Sequence, residues 1–147
     1  MERSFFEHVL DAFESFVDDE LGEPLSSWHR RGLKVWFDPA APREHYEAQL
    51  IRVDGEAALE IGFHAEYRTE AESQAVLDGF GTTGAPSAWR AALGEEAHAG
   101  PFLGNTTWRR VSEVWDPPDP DDPEAPIEIA ARLADYVDAI EPRRRAS

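Results

Sequence analysis

Asp54-Gly55 stands between two runs, 45–53 and 56–66, in which apolar and polar residues alternate. Asp-Gly readily adopts the positive φ angles of a type I′ turn, whose twist matches that of paired strands. A two-residue turn leaves a single register, because a slip by one residue would move every side chain to the other face. Val53 then faces Glu56. The pairs Leu50–Leu59, Ala48–Ile61 and Tyr46–Phe63 share one face, while Gln49–Glu60, Glu47–Gly62 and His45–His64 share the other. The chain is thereby committed to an antiparallel sheet with an apolar and a polar side. Gly62, inside the second strand, marks a bulge or a close neighbour.

Around this hairpin the periodicity changes. Ser4-Phe5-Phe6-Glu7 has the form of a capping box, and Phe5, Phe6, Val9, Phe13, Phe16 and Val17 recur at three- to four-residue spacing. This pattern predicts a helix over 4–21. Leu33, Val35 and Phe37 alternate with Lys34, Trp36 and Asp38, as in a half-buried strand that Asp38-Pro39 ends. Thr69-Glu70-Ala71-Glu72 opens a helix reaching about Leu77 or Asp78, and a shorter helix with Trp89 and Leu93 follows Pro86. Residues 95–105 read as irregular, 107–115 as a strand and 116–126 as a Pro/Asp loop. The last helix runs from about Ala125 to Ile140, with Pro142 ending it.

The expected fold class is α+β, in the order α-β-β-β-α-α-β-α. It has an antiparallel sheet of about four strands with the hairpin 45–66 central, and N- and C-terminal helices packed on one face. Residues 1–142 form a single domain, and 143–147 a basic C-terminal tail.

Composition excludes several function classes. The chain of 147 residues has no cysteine, which removes disulfides, thiol nucleophiles and Cys-based metal sites. Lys34 is the only lysine and follows Leu33, so no Walker A motif exists. Formal net charge is -16, which argues against binding phosphate backbones. The acids concentrate in two segments: residues 1–25 hold eight acids and one base, and 113–124 hold six acids and no base. No apolar run approaches the ~18 residues of a membrane span, and no signal-like segment opens the sequence. The expectation is a cytoplasmic protein that binds neither nucleic acid nor membrane.

The polar face of the hairpin carries the chemistry. His45 and His64 face each other, with Glu47 and Glu66 two residues along their strands and Glu60 and Gln49 continuing the row. Two imidazoles and a carboxylate on one rigid surface can bind a divalent metal such as Zn or Fe, with His45, His64 and Glu47 as the ligand set. The same group can serve as an acid/base pair. The plainer alternative is a solvated face where His and Glu alternate because strands alternate.

Other motifs carry less. Gly79-Phe80-Gly81-Thr82-Thr83-Gly84 matches G-x-G-x-x-G, but a helix precedes it where a dinucleotide site needs a strand. Glu95-Glu96-Ala97-His98 is a single E-x-x-H, where a di-iron bundle needs two. Pro117, Pro120, Pro123 and Pro126 recur every third residue, the period of polyproline II.

Contact surfaces are the other candidates. Asp11, Glu14 and Asp18 lie on one helix face and offer a docking stripe to a basic protein partner or to Arg143-Arg144-Arg145. Trp28, Trp36 and Trp115 are the aromatic interaction candidates, and an exposed apolar patch would mark a partner interface or a homodimer. The leading expectation is a small acidic adaptor domain acting by protein–protein contact, without a cofactor. The alternative is a small metal-assisted or acid/base enzyme built on His45, His64, Glu47 and Glu66.

Overall fold

The computed structural model describes residues 4–81, 88–102 and 104–146. It is an α+β fold with one six-stranded antiparallel sheet. In chain order the elements are α1 (Phe5–Phe16), β1 (Leu25–His29), β2 (Gly32–Trp36), β3 (Glu44–Val53) and β4 (Glu56–Ala65). Then come α2 (Glu70–Gly81), α3 (Ala88–Leu93), β5 (His98–Phe102), β6 (Asn105–Trp115) and α4 (Ala125–Ala146). The strands lie in the order β1-β2-β3-β4-β6-β5. The turn residues Asp54 and Gly55 have φ of 52° and 82°, and the β3–β4 register is the one the turn dictates, including Val53 opposite Glu56 and His45 opposite His64.

Six strands replace the expected four. The two additions, β1 and β5, are the two edges of the sheet. Every residue of β1 is exposed, so no burial pattern announces it. His98-Ala-Gly-Pro-Phe102 contains Gly100 at φ 153° and Pro101, a composition that strands tolerate only at an edge. Both edges form by pairing with a neighbour rather than by their own patterning: Trp28 lies opposite Leu33, and Ala99 opposite Val111.

The helices also depart from expectation. α1 ends at Phe16 rather than near residue 21, and Val17 is extended. Asp18 instead caps a single 3-10 turn, Asp19–Leu21, by accepting from Glu20 N at 2.9 Å. Three consecutive acids at the negative end of a helix dipole oppose its continuation. Ser4 occupies the N-cap of α1 but makes no capping bond with its side chain, whereas Thr69 Oγ1 does accept from Glu72 N at 3.1 Å. α2 runs on through Gly79 to Gly81. Residues 82–84 of the Gly-rich motif and Pro86 lie outside the described residues. Of the E-x-x-H residues, only His98 lies in a regular element, β5, not on a bundle helix. Pro126 belongs to the first turn of α4, a position where a missing N–H costs nothing.

α4 passes through Pro142 and carries Arg143, Arg144 and Arg145 as its last turn, where a frayed basic tail was expected. Buried Glu141 is the reason. It binds Arg144 Nη2 at 2.6 Å and Arg145 Nε at 2.9 Å, and Arg145 Nη2 donates to Leu21 O at 2.6 Å. Tertiary pairing holds a turn that proline weakens.

The core lies between the sheet and the helices. Leu33, Val35, Tyr46, Ala48, Leu59, Ile61, Phe63 and Val111 form one face of the sheet. They join Phe6, Val9 and Phe13 of α1, Phe80 of α2, and Leu133, Val137 and Ile140 of α4 in a single cluster. The remaining pleat positions face the other way and carry the polar row. Gly62 sits in that row opposite Ser112. A Cβ there would lie 2.3 Å from Val111 O and 2.4 Å from Ser112 Cβ. Gly62→Ala is therefore expected to separate β4 from β6 and to destabilise by about 1–3 kcal/mol, as overpacking does. An unchanged urea midpoint would show that the strands can part at no cost.

Candidate metal centre

The hairpin brings four side chains that carry metal-ligating atoms to one spot. His45 opens β3 and pairs with His64 near the end of β4. Their rings stack in parallel, with centroids 5.6 Å apart and planes at 9°. Glu47 follows two residues along β3, and Glu66 two residues beyond His64, so the pleat turns all four side chains to the same side. One ligand atom from each of His45, Glu47, His64 and Glu66 falls within 4.8 Å of all the others. This face is not solvated: His45 is 2% and His64 0% exposed, Glu47 and Glu60 are buried, and Glu66 is half-buried. Phe102, from edge strand β5, lies against the His64 ring with centroids 4.7 Å apart.

Each ring nitrogen has an oxygen partner. His45 Nδ1 lies 3.1 Å from Pro42 O, and a carbonyl only accepts, so Nδ1 is the donor. In a neutral His45 the lone pair is then on Nε2, which faces Glu47 Oε1 at 3.1 Å and Glu66 Oε2 at 3.6 Å. His64 Nε2 lies 2.9 Å from Glu60 Oε1, and Nδ1 lies 3.1 Å from Glu66 Oε2. Glu60 also accepts from Gln49 Nε2 at 2.8 Å and Ser112 Oγ at 2.7 Å, the environment of an ionised carboxylate. A neutral His64 donates through Nε2 to Glu60 and turns its Nδ1 lone pair toward Glu66.

Lone pairs of two imidazoles and two carboxylates thus converge on one point. Such an arrangement is stable only around positive charge, either protons on the rings or a cation between the ligands. His64 reflects that demand. Burial pushes its pKa down, but the Glu60 charge and the hydrogen bonds to Glu60 and Glu66 outweigh burial and raise it from 6.5 to about 10. Glu60 and Glu66 respond in the opposite direction. Burial pushes both up, His64 pulls both down, and each ends below the ordinary carboxylate value.

β6 supplies a supporting layer. Ser112 holds Glu60 and in turn accepts from Arg110 Nη1 at 2.8 Å. Ser112 and Arg110 escape sequence reasoning because their positions depend on β6 pairing with β4. Glu60 is visible in the polar row, but only the fold shows that it grips His64.

The contact candidates scatter. Trp36 is half-buried, its pleat position on the polar side. Trp28 is 41% exposed on the edge strand. Trp115 is half-buried, packs against the core on the helix side and donates its Nε1–H to Glu113 Oε2 at 2.7 Å. Asp11 and Glu14 are exposed on α1, and Asp18 is exposed beyond its end. Arg144 and Arg145 engage Glu141, Glu44 and the Leu21 carbonyl.

No helix among the described residues is long and apolar enough to cross a membrane. His45, Glu47, His64 and Glu66 stand close enough together to hold a metal ion. Comparison with protein-family models, with curated proteins and with solved structures finds no match.

Proposed function

We propose that this protein binds one divalent transition-metal ion of the Zn or Fe(II) type between β3 and β4. His45 Nε2, His64 Nδ1, Glu47 and Glu66 are the ligands. The observation that carries the reading is the pair of oriented imidazoles. His45 is fixed by the Pro42 carbonyl and His64 by the Glu60 carboxylate, the outer partners that metal-binding histidines use to present a lone pair. Three of the six ligand-to-ligand distances are 3.1, 3.1 and 3.6 Å, beside roughly 3.3–3.5 Å about a tetrahedral ion with bonds of ~2.0–2.1 Å, and all six lie within 4.8 Å. Four protein ligands in a buried site suit an ion held for structure. Release of Glu66, the least buried of the four, would open a position for catalysis.

The test is thermal unfolding of chelator-stripped protein with and without Zn²⁺, Mn²⁺, Fe²⁺ or Ni²⁺. At a hundred times Kd an ion adds about 2.7 kcal/mol, which raises Tm by several degrees in a chain of this size. The gain should vanish in the variant His45→Ala/His64→Ala. Glu66→Gln, a milder change at the rim, should weaken binding and leave the metal-free fold intact. No rise with any of the four ions would overturn the metal reading and leave the acidic adaptor as the better account.

A further inference from the structure

At the other end of β3 lies a cavity of about 330 Å³, near the small end of the range for small-molecule sites. Phe5, Leu50, Ile51 and Pro118 give it apolar walls, and Arg30, Arg31 and Arg52 also line it. We infer that this cavity binds a small organic anion, a carboxylate carried on an apolar body.

The three arginines hold no acid in a chain where acids outnumber bases thirty to fourteen. Four other arginines do. Arg109 pairs with Glu70, Arg132 with Glu113, and Arg144 and Arg145 with Glu141. Among the described residues, no carboxylate lies within ion-pair distance of Arg30, Arg31 or Arg52; Arg52 Nη1 donates only to the Gly55 carbonyl, at 2.9 Å. The fold brings them together. Arg30-Arg31 is the turn between β1 and β2, and Leu50 N donates to Arg31 O at 2.8 Å, which ties that turn to β3 two residues from Arg52.

α1 starts at Phe5 in the cavity wall, so the positive end of its dipole lies at the site; Glu7 is the acid of its first turn, and the Ser4 side chain makes no capping bond. With Trp115, Asp116, Asp119 and Asp122 of the proline loop line an adjoining cavity of about 160 Å³, which shares Pro118 with this one. Guanidinium groups recognise a carboxylate through paired N–H donors, while the phenyl, leucine and proline surface takes an apolar body. A bare inorganic anion would leave that surface uncovered, and a neutral amphiphile would leave the arginines unanswered.

Calorimetric titration with decanoate below its micellar concentration, beside decanol, decyltrimethylammonium and acetate, tests the inference. Decanoate is expected to bind at least tenfold more tightly than the other three. The variant Arg30→Gln/Arg31→Gln/Arg52→Gln should lose at least tenfold in decanoate affinity, with Tm and the zinc response unchanged. Equal affinity for decanoate and decanol, or undiminished binding in the variant, would overturn the proposal. Should the variant fail to fold, the ranking of the four ligands on the native chain decides by itself. The site is distant in sequence register from His45 and His64, so loss of one reading leaves the other standing.

Discussion

Glu141→Ala is expected to be the most damaging substitution outside the His/Glu centre. The Glu141 carboxylate is fully buried. It accepts from Tyr46 OH at 2.8 Å and holds Arg144 and Arg145, while Arg144 reaches on to Glu44 at 3.3 Å. Removing it leaves a buried phenol and a half-buried guanidinium without their acceptor, and detaches the last turn of α4 across Pro142. Breaking a buried pair from one side costs about 3–5 kcal/mol, a large part of the 5–15 kcal/mol that ordinary domains possess. Arg145→Ala removes a side chain that is 41% exposed and should cost under about 1 kcal/mol. Urea unfolding of the two variants checks the contrast, and equal small losses would mean that α4 does not need its anchor.

The same carboxylate predicts acid sensitivity. Burial pushes Glu141 up, but hydrogen bonds from Arg144 and Arg145 outweigh it, and its pKa stands below the ordinary value. Glu113 follows the same pattern, with Arg132, Tyr136 and Trp115 as donors. Groups with depressed folded pKa values contribute stability above their unfolded value of about 4.5, and that stability is lost as pH falls through the lower folded value.

In the metal-free protein the His64 pKa, raised from 6.5 to about 10, gives the opposite sign. Its stabilisation is complete below about pH 6.5 and disappears as pH rises toward about 10. A tenfold gain in proton affinity on folding is worth ~1.4 kcal/mol, so the loss is on the order of several kcal/mol. Chelator-treated protein should therefore show a Tm that falls from about pH 7 to about pH 9. A divalent ion competes with the same proton, so its stabilising increment should grow over that range. Glu60→Gln removes the charge that holds the proton and should flatten the metal-free slope. A Tm independent of pH in metal-free protein, or a zinc increment that shrinks as pH rises, would contradict the arrangement of charges at the site.

Much of the candidate centre is legible in the residues alone. Asp54-Gly55 admits one turn geometry, one turn geometry admits one register, and the period of two then places His45, Glu47, His64 and Glu66 on one side. Each step is local, which is why it survives without tertiary information. The apolar face of α1 is legible for the same reason: Phe6, Val9 and Phe13 are buried as their spacing predicts. Edge strands β1 and β5 are not, because an edge is defined by the neighbour it pairs with rather than by its own alternation. The passage of α4 through Pro142 is hidden as well, since proline predicts an end, and only Glu141 and its arginines reverse that preference.

The sequence by itself determined an α+β chain, the central hairpin with its register, the absence of any thiol chemistry, and the residue types that meet on the polar face. The tertiary structure decided what that face is. Pairing of β4 with β6 brings Ser112 against Glu60, and Glu60 fixes His64. β5 adds Phe102 against the His64 ring, and burial turns a row of polar residues into a cluster whose members face one another away from water. Short-range geometry is written in neighbouring residues. The charge state of this centre depends on burial and on the charges and donors that outweigh it, and both are set by which distant segments come to rest beside it.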